Sequence, residues 1–131
     1  MSIRDAIQTK LQSLSGLTAL VGTRTFWQRM TQGATLPAVV YRLRSAQRAS
    51  AMGSDTGMVL SRWQFIALGD TITDCEGVAI ELRSGLKRLS DVTISSVVID
   101  STFLEDESDV EFDDSVDVHG IVLDFTINYR E

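Results

Sequence analysis

The sequence predicts an α+β fold: a mainly antiparallel sheet of about five strands with two helices packed on one face. Three observations carry this expectation. Apolar residues recur at helical spacing in two stretches. They alternate at strand spacing in several others. The stretches follow one another as helix, strand, strand, strand, helix, strand, strand, an order that suits an antiparallel sheet better than a repeated βαβ unit.

Ser2 is placed to cap the first helix, with Asp5 three residues on, near the positive helix end. Ile3, Ile7, Leu11 and Leu14 then recur at helical spacing, and Gly16 can end the helix. Leu17, Leu20 and Val21 form a second apolar turn closed by Gly22, and a short strand is expected from Thr23 to Trp27. Pro37 is the only proline. It fixes its own φ and pushes Leu36 into an extended state, so it should start a strand.

That strand runs from Ala38 to about Arg44, with Val39, Tyr41 and Leu43 on one face and Val40, Arg42 and Arg44 on the other. A second strand, Met58 to Leu68, turns Val59, Trp63, Phe65 and Ala67 inward, and the pair reads as a hairpin. The connection Ser45–Gly57 is rich in Ser, Ala, Gly and Met and has no packing period. Connections this long inside a compact domain are functional or mobile, so an arm that orders against a partner is expected.

The second helix is expected to open at Thr73, where Thr73-x-x-Glu76 forms a capping-box pattern. Cys75, Ala79, Leu82, Leu86 and Leu89 make its apolar stripe, while Glu81, Arg83, Lys87 and Arg88 lie off it. A fourth strand follows from Val92 to Phe103 and a fifth from His119 to Tyr129. In the fifth, Ile121, Leu123, Phe125, Ile127 and Tyr129 alternate with Val122, Asp124, Thr126, Asn128 and Arg130. It reads as a sheet edge or surface strand with one buried face. The sheet's other face carries Arg42, Arg44, Arg62, Asp124 and Arg130, open to solvent or to another subunit. At 131 residues, the chain is expected to form one domain over 1–131.

Charge divides along the chain. Residues 1–50 carry seven bases against one acid, and residues 51–131 carry five bases against seventeen acids. Eight of those acids fall in the stretch Glu105–Asp117, which contains no Lys or Arg. A chain whose parts have opposite sign can pair head to tail with a copy of itself or with a charged neighbour. The net charge of −6 argues against a free DNA-binding protein. No apolar run is long enough to span a bilayer, and the N-terminus lacks a signal-peptide core, so synthesis in the cytoplasm is expected. The single cysteine, Cys75, excludes an internal disulfide and a Cys-rich zinc site.

The acidic stretch is the one metal candidate. It lacks the central Gly of an EF-hand loop and its flanks read as strands, so a solvated, mutually repelling loop is expected. Weak Ca²⁺ binding, a metal-dependent hydrolase and a loop lining a passage for DNA are the rival readings. Cys75 and His119 could form a nucleophilic pair only in a shared cleft, and Cys75 sits on the apolar stripe. Neither the P-loop and dinucleotide-binding glycine patterns nor the serine-elbow and His-Glu-x-x-His patterns occur. No catalytic, cofactor-binding or metal-ligating residue is therefore assigned. Trp27 and Trp63 are expected as core or interface anchors.

The stretches Leu20-Val21-Gly22-Thr23-Arg24 and Gln32-Gly33-Ala34-Thr35-Leu36-Pro37-Ala38-Val39-Val40-Tyr41 follow an amphipathic N-terminal helix. This arrangement, with the Thr73–Leu89 helix, resembles the tail-completion proteins (tail terminators) of long-tailed bacteriophages and related gene transfer particles. The acidic Glu105–Asp117 segment departs from that pattern. The resemblance implies a non-enzymatic virion protein that forms a ring, usually a hexamer, on the head-proximal end of the tail tube. Its implied partners are other copies of itself, the tail tube protein and the head–tail connector, with DNA only as passing cargo and no membrane. Arg42, Arg44, Arg48, Met52, Met58 and Arg62 are then candidate interface residues. Glu105, Asp106, Glu107, Asp109, Glu111, Asp113, Asp114 and Asp117 are candidate lumen-facing or partner-facing acids. A head-completion or neck protein, or a minor tail-tube subunit, is the neighbouring alternative.

Overall fold

A computed structural model describes residues 2–28, 35–51, 54–87, 89–94, 96–109 and 118–130; over these residues the chain forms three helices and six strands. The first helix, α1 (Ile3–Ser13), starts where expected. The Asp5 amide donates to Ser2 Oγ at 3.2 Å and the Ser2 amide donates to Asp5 Oδ2 at 3.2 Å, closing a reciprocal capping box. Leu14, not Gly16, ends it, and the second apolar turn is a separate helix, α2 (Ser15–Val21), with Gly22 at φ 59° after it.

Gly16 lies inside α2 because of what packs on it. The Glu81 carboxylate occupies the space a Cβ would need there, and Leu14 does the same over Gly85. Two missing side chains thus let α1 and α2 approach α3 (Ile72–Leu86) closely. The cap of α3 is Thr71, whose Oγ1 accepts from the Asp74 amide at 3.2 Å, so the expected start at Thr73 is two residues late. Thr71-x-x-Asp74 satisfies the same pattern as Thr73-x-x-Glu76, and the preceding strand's end at Gly69 selects the earlier one.

The strands are β1 (Thr25–Trp27), β2 (Ala38–Ala51), β3 (Ser54–Gly69), β4 (Ser90–Ile94), β5 (Val97–Asp109) and β6 (His119–Arg130). They form one sheet in the order β1-β2-β3-β6-β5-β4, with β1 parallel to β2 and every other pair antiparallel. Three sequence expectations change here. The stretch expected as a single strand from Val92 to Phe103 is a hairpin, turning between Ile94 and Val97 with Ser96 at φ 69°. The fifth predicted strand, β6, lies between β3 and β5 and is no edge, although it does bury one face as its alternation requires. Ser45–Gly57, expected as a structureless arm, is mostly ladder: Ser45 pairs with Arg62, Arg48 with Val59, and Ser50 with Asp55. From Ser45 to Arg48 every side chain is exposed, and a strand without a buried face cannot be told from a loop by periodicity.

Register shifts on β2 between Leu43 and Ser45, and on β5 between Ile99 and Ser101 and between Leu104 and Asp106, each insert one residue and reverse the side-chain alternation. On β5 the first shift turns Thr102 inward and Phe103 outward. Ala6, Ile7, Leu11, Leu17 and Val21 from α1 and α2 join Cys75, Val78, Ala79, Leu82 and Leu86 of α3. Together they cover Val39, Tyr41, Trp63, Phe65, Ile99, Leu123, Phe125 and Ile127 on one sheet face. Trp63 and Phe65 are essentially fully buried, and Trp27, Tyr41 and Trp63 form an aromatic group with ring centroids 5.4–6.5 Å apart.

Polar groups inside this core are satisfied. Ser61 Oγ donates to the Ile127 carbonyl at 2.6 Å and accepts from Trp63 Nε1 at 2.9 Å. Thr102 Oγ1 donates to the Leu86 carbonyl and accepts from the Leu89 amide at 2.8 Å, so a strand hydroxyl closes the C-terminal end of α3.

Candidate assembly surface

The face of the sheet away from the helices is built from the outward positions of four long strands. The registers align these positions in rows that cross β2, β3, β6 and β5. One row is Arg42, Gln64, Asp124, Asp106; the next is Ser45, Arg62, Thr126, Phe103; the third is Gln47, Leu60, Asn128, Ser101. Each row therefore carries one side chain from every strand. The charge division of the sequence becomes a division across the sheet. Arg42, Arg44 and Arg48 lie on β2, while Glu105, Asp106, Glu107 and Asp109 lie on β5, with β3 and β6 between them.

All of these residues are exposed, as are Met58 and Arg62 on β3. Glu105 to Asp109 belong to a strand, so the expected acidic loop begins later than the sequence suggested. Met52, Glu111, Asp113, Asp114 and Asp117 lie outside the described residues.

Some charges of opposite sign are brought together within one chain. Arg44, Arg62, Gln64, Glu105, Asp106 and Asp124 line an open cleft of about 280 Å³ on this face. No ion pair joins the two arginines to these acids among the described residues. Elsewhere the acids do pair: Arg83 Nη1 meets Glu107 Oε1 at 2.6 Å, and Arg130 Nη2 meets Asp100 Oδ1 at 2.9 Å. Arg42 donates through Nε to Gln64 Oε1 at 2.7 Å, which lays its guanidinium along the first row.

Sequence reasoning named Met58 but missed the rest of the apolar part of the face. Leu60 is 47% exposed and Phe103 52%, near Met58 at 43%. Leu60 and Phe103 share a groove with Ser45, Gln47, Thr126 and Asn128. The Asn128 side chain donates to Ser101 Oγ at 2.9 Å, but its buried Oδ1 has no donor among the described residues. Strand alternation on β3 was sufficient to find Leu60. Phe103 was hidden, because only the register shift before it turns it outward.

Burial bears on the Cys75–His119 reading. Cys75 is buried, and burial pushes its thiol pKa up, the reverse of what an activated nucleophile requires. His119 is exposed at the start of β6. No group of three or more metal-ligating side chains converges among the described residues, and among them no helix is long and apolar enough to cross a membrane.

No protein-family model and no curated protein matches the chain. Solved structures do share its fold. A chain of the "Virion of native gene transfer agent (GTA) particle" superposes with a TM-score of 0.75 at 16% identity, over 99% of this chain and 96% of that one. A second solved protein, of unstated role, superposes with a TM-score of 0.61 at 15% identity, over 98% and 94% of the two chains. At these identities the likeness establishes a common fold along the whole chain.

Proposed function

We propose that this chain is a structural virion protein. It forms a ring, a hexamer in the resembled family, at the head-proximal end of a tail tube, where it ends tube polymerisation and joins the tail to the head connector. The observation that carries the reading is the full-length likeness to a chain of a gene transfer agent virion. The resemblance of the Leu20–Arg24 and Gln32–Tyr41 stretches to tail-completion proteins supports the more specific role.

The surface supports a part in assembly. Among the described residues no helix covers one face of the sheet, and that face combines exposed Met58, Leu60 and Phe103 with arginines and carboxylates held apart on β2 and β5. Mixed apolar and charged surfaces of this kind suit protein contacts. In this reading the protein is not an enzyme and needs no cofactor. Its partners are copies of itself, the tube protein and the connector, and DNA passes through the ring. The acids from Glu105 onward face the lumen or a basic partner.

Native mass spectrometry of the chain, alone over a range of concentrations and then with tube protein, tests the reading. A ring of defined copy number is expected, together with tubes of fixed length when the two are mixed. A chain that stays monomeric under all these conditions overturns it. Binding along the tube wall without any effect on tube length points instead to a minor tube subunit.

A further inference from the structure

Both sides of the sheet are half covered, and the halves are offset. On the β2 side, β1 pairs only with Val39 to Tyr41, and the last bond runs from the Gln28 amide to the Tyr41 carbonyl at 2.8 Å. From Arg42 to Ala51 the outer side of β2 has no strand neighbour among the described residues. On the β5 side, β4 pairs only with Val97 to Ser101, followed by one bond from the Thr102 amide to the Leu89 carbonyl at 3.1 Å. From Phe103 to Asp109 the outer side of β5 has no strand neighbour among the described residues.

The registers give the relative heights of these four segments. Val39 and Tyr41 lie in the rows that end at Asp109 and Glu107, so the covered part of the β2 side stands level with the open part of the β5 side. Arg48 lies in the row that ends at Ile99, so the covered part of the β5 side stands level with the open part of the β2 side. Each edge therefore has a projecting short strand where the other has a gap. Where the two open segments overlap, the row runs from Arg42 on one edge to Asp106 on the other.

An unpaired strand edge is a template for another strand, and a protein that leaves one open must protect it or use it. We propose that these two edges are the subunit contact: the β2 edge of one copy meets the β5 edge of the next, β1 and β4 filling each other's gaps and Arg42 and Arg44 coming beside Asp106. The contact joins two different surfaces of the same chain, so repetition closes a ring when the rotation allows. The occupant is a second copy because the edges match each other in both height and charge. This rests on the ring reading above and assigns it a surface.

Charge reversal on each edge tests the contact. One variant carries Arg42→Glu and Arg44→Glu, so both of its edges are acidic. A second carries Asp106→Arg and Asp109→Arg, which cancels the acidic excess of the β5 edge and sets a base in the row that ends at Arg42. Each alone should need at least about tenfold more protein to assemble than the wild type, since like charges now face one another. Circular dichroism and a thermal melt establish that the monomers are folded. Mixing the two variants should restore assembly, with the two chains alternating and only even copy numbers present. A chain carrying all four substitutions should assemble by itself.

Rings that form from either variant alone as readily as from wild type overturn the edge contact and leave the ring reading standing. So does a mixture that stays unassembled while both monomers are folded. Failure of the wild-type chain to assemble at all removes the ring reading and this contact with it.

Discussion

Asp106 stands directly opposite Asp124 on the open face, the two carboxylates facing each other across the β5–β6 ladder. Like charges in directly opposed positions destabilise a sheet by roughly 0.2–1 kcal/mol. No ion pair to Arg44 or Arg62 offsets this among the described residues, although all four side chains line the same cleft. A local cost of this kind at an exposed position fits a residue kept for contact with a partner.

Asp106→Asn should therefore raise the stability of the monomer by about 0.2–1 kcal/mol, read as a higher urea midpoint with an unchanged slope. Assembly should weaken in the same variant, because the acid facing the neighbour's arginines is gone. The two measurements move in opposite directions. A stability gain with unaltered assembly would detach Asp106 from the subunit contact.

Thr102 joins two elements through one buried hydroxyl. It accepts from the Leu89 amide and donates to the Leu86 carbonyl, one of the carbonyls at the C-terminal end of α3. Thr102→Val keeps the shape and leaves both backbone groups without their partner. The expected loss is about 1–3 kcal/mol in denaturant titration. Amide exchange should speed up mainly at Leu89. A loss of a few tenths would mean that water reaches both groups.

Asp5 gives a pH dependence whose sign is fixed. The bond from the Ser2 backbone amide lowers its carboxyl pKa below the ordinary value of 3.8, assisted by the Ser2 hydroxyl. A depressed pKa contributes stability that is present above 3.8 and lost as pH falls through the lower folded value. Fraying of the first turn of α1 should therefore increase below about pH 4, seen as faster exchange of the Asp5 and Ala6 amides. Asp5→Asn should show the same fraying already at neutral pH, with no further acid dependence there.

Much of the fold could be read from the sequence wherever a local rule acts alone. Ser2 and Asp5 gave the start of α1, Pro37 the start of β2, and unbroken alternation from Ile121 to Tyr129 the buried face of β6. The misreadings share a cause, which is that the deciding contact is distant in the chain. Gly16 looked like a helix stop because Glu81, sixty-five residues later, is what its missing side chain accommodates. The inserted residue before Thr102 reverses a pattern that β5 alone would continue. Arg42, Arg44, Arg48 and Arg62 are exposed, as solvent-facing strand positions should be. Their relation to the acids at the other end of the same row depends on four strands in register, which no local pattern contains.

Among the described residues, the hairpin of β2 and β3 extends past the rest of the sheet. The last β6 residue to pair with β3 is Arg130, opposite Met58, yet the β2–β3 ladder continues to Ser50–Asp55 and Ala51–Ser54. At ~3.3 Å per residue this tip projects roughly 13 Å beyond β6. A two-stranded ribbon without a third neighbour adds little stability in water. Replacing residues 50–57 with Asn-Gly, which favours a tight two-residue turn, should therefore change the unfolding free energy by less than about 1 kcal/mol. Joining should respond differently, since a projecting ribbon is suited to reach a neighbouring ring or tube. Particles made with the trimmed chain should accumulate as separate heads and tails, counted by electron microscopy. Ring formation by the purified chain should persist, because the paired residues below Arg48 are retained. Normal yields of joined particles would show that the tip has no docking role. Loss of rings together with loss of joining would place the tip in the subunit contact itself.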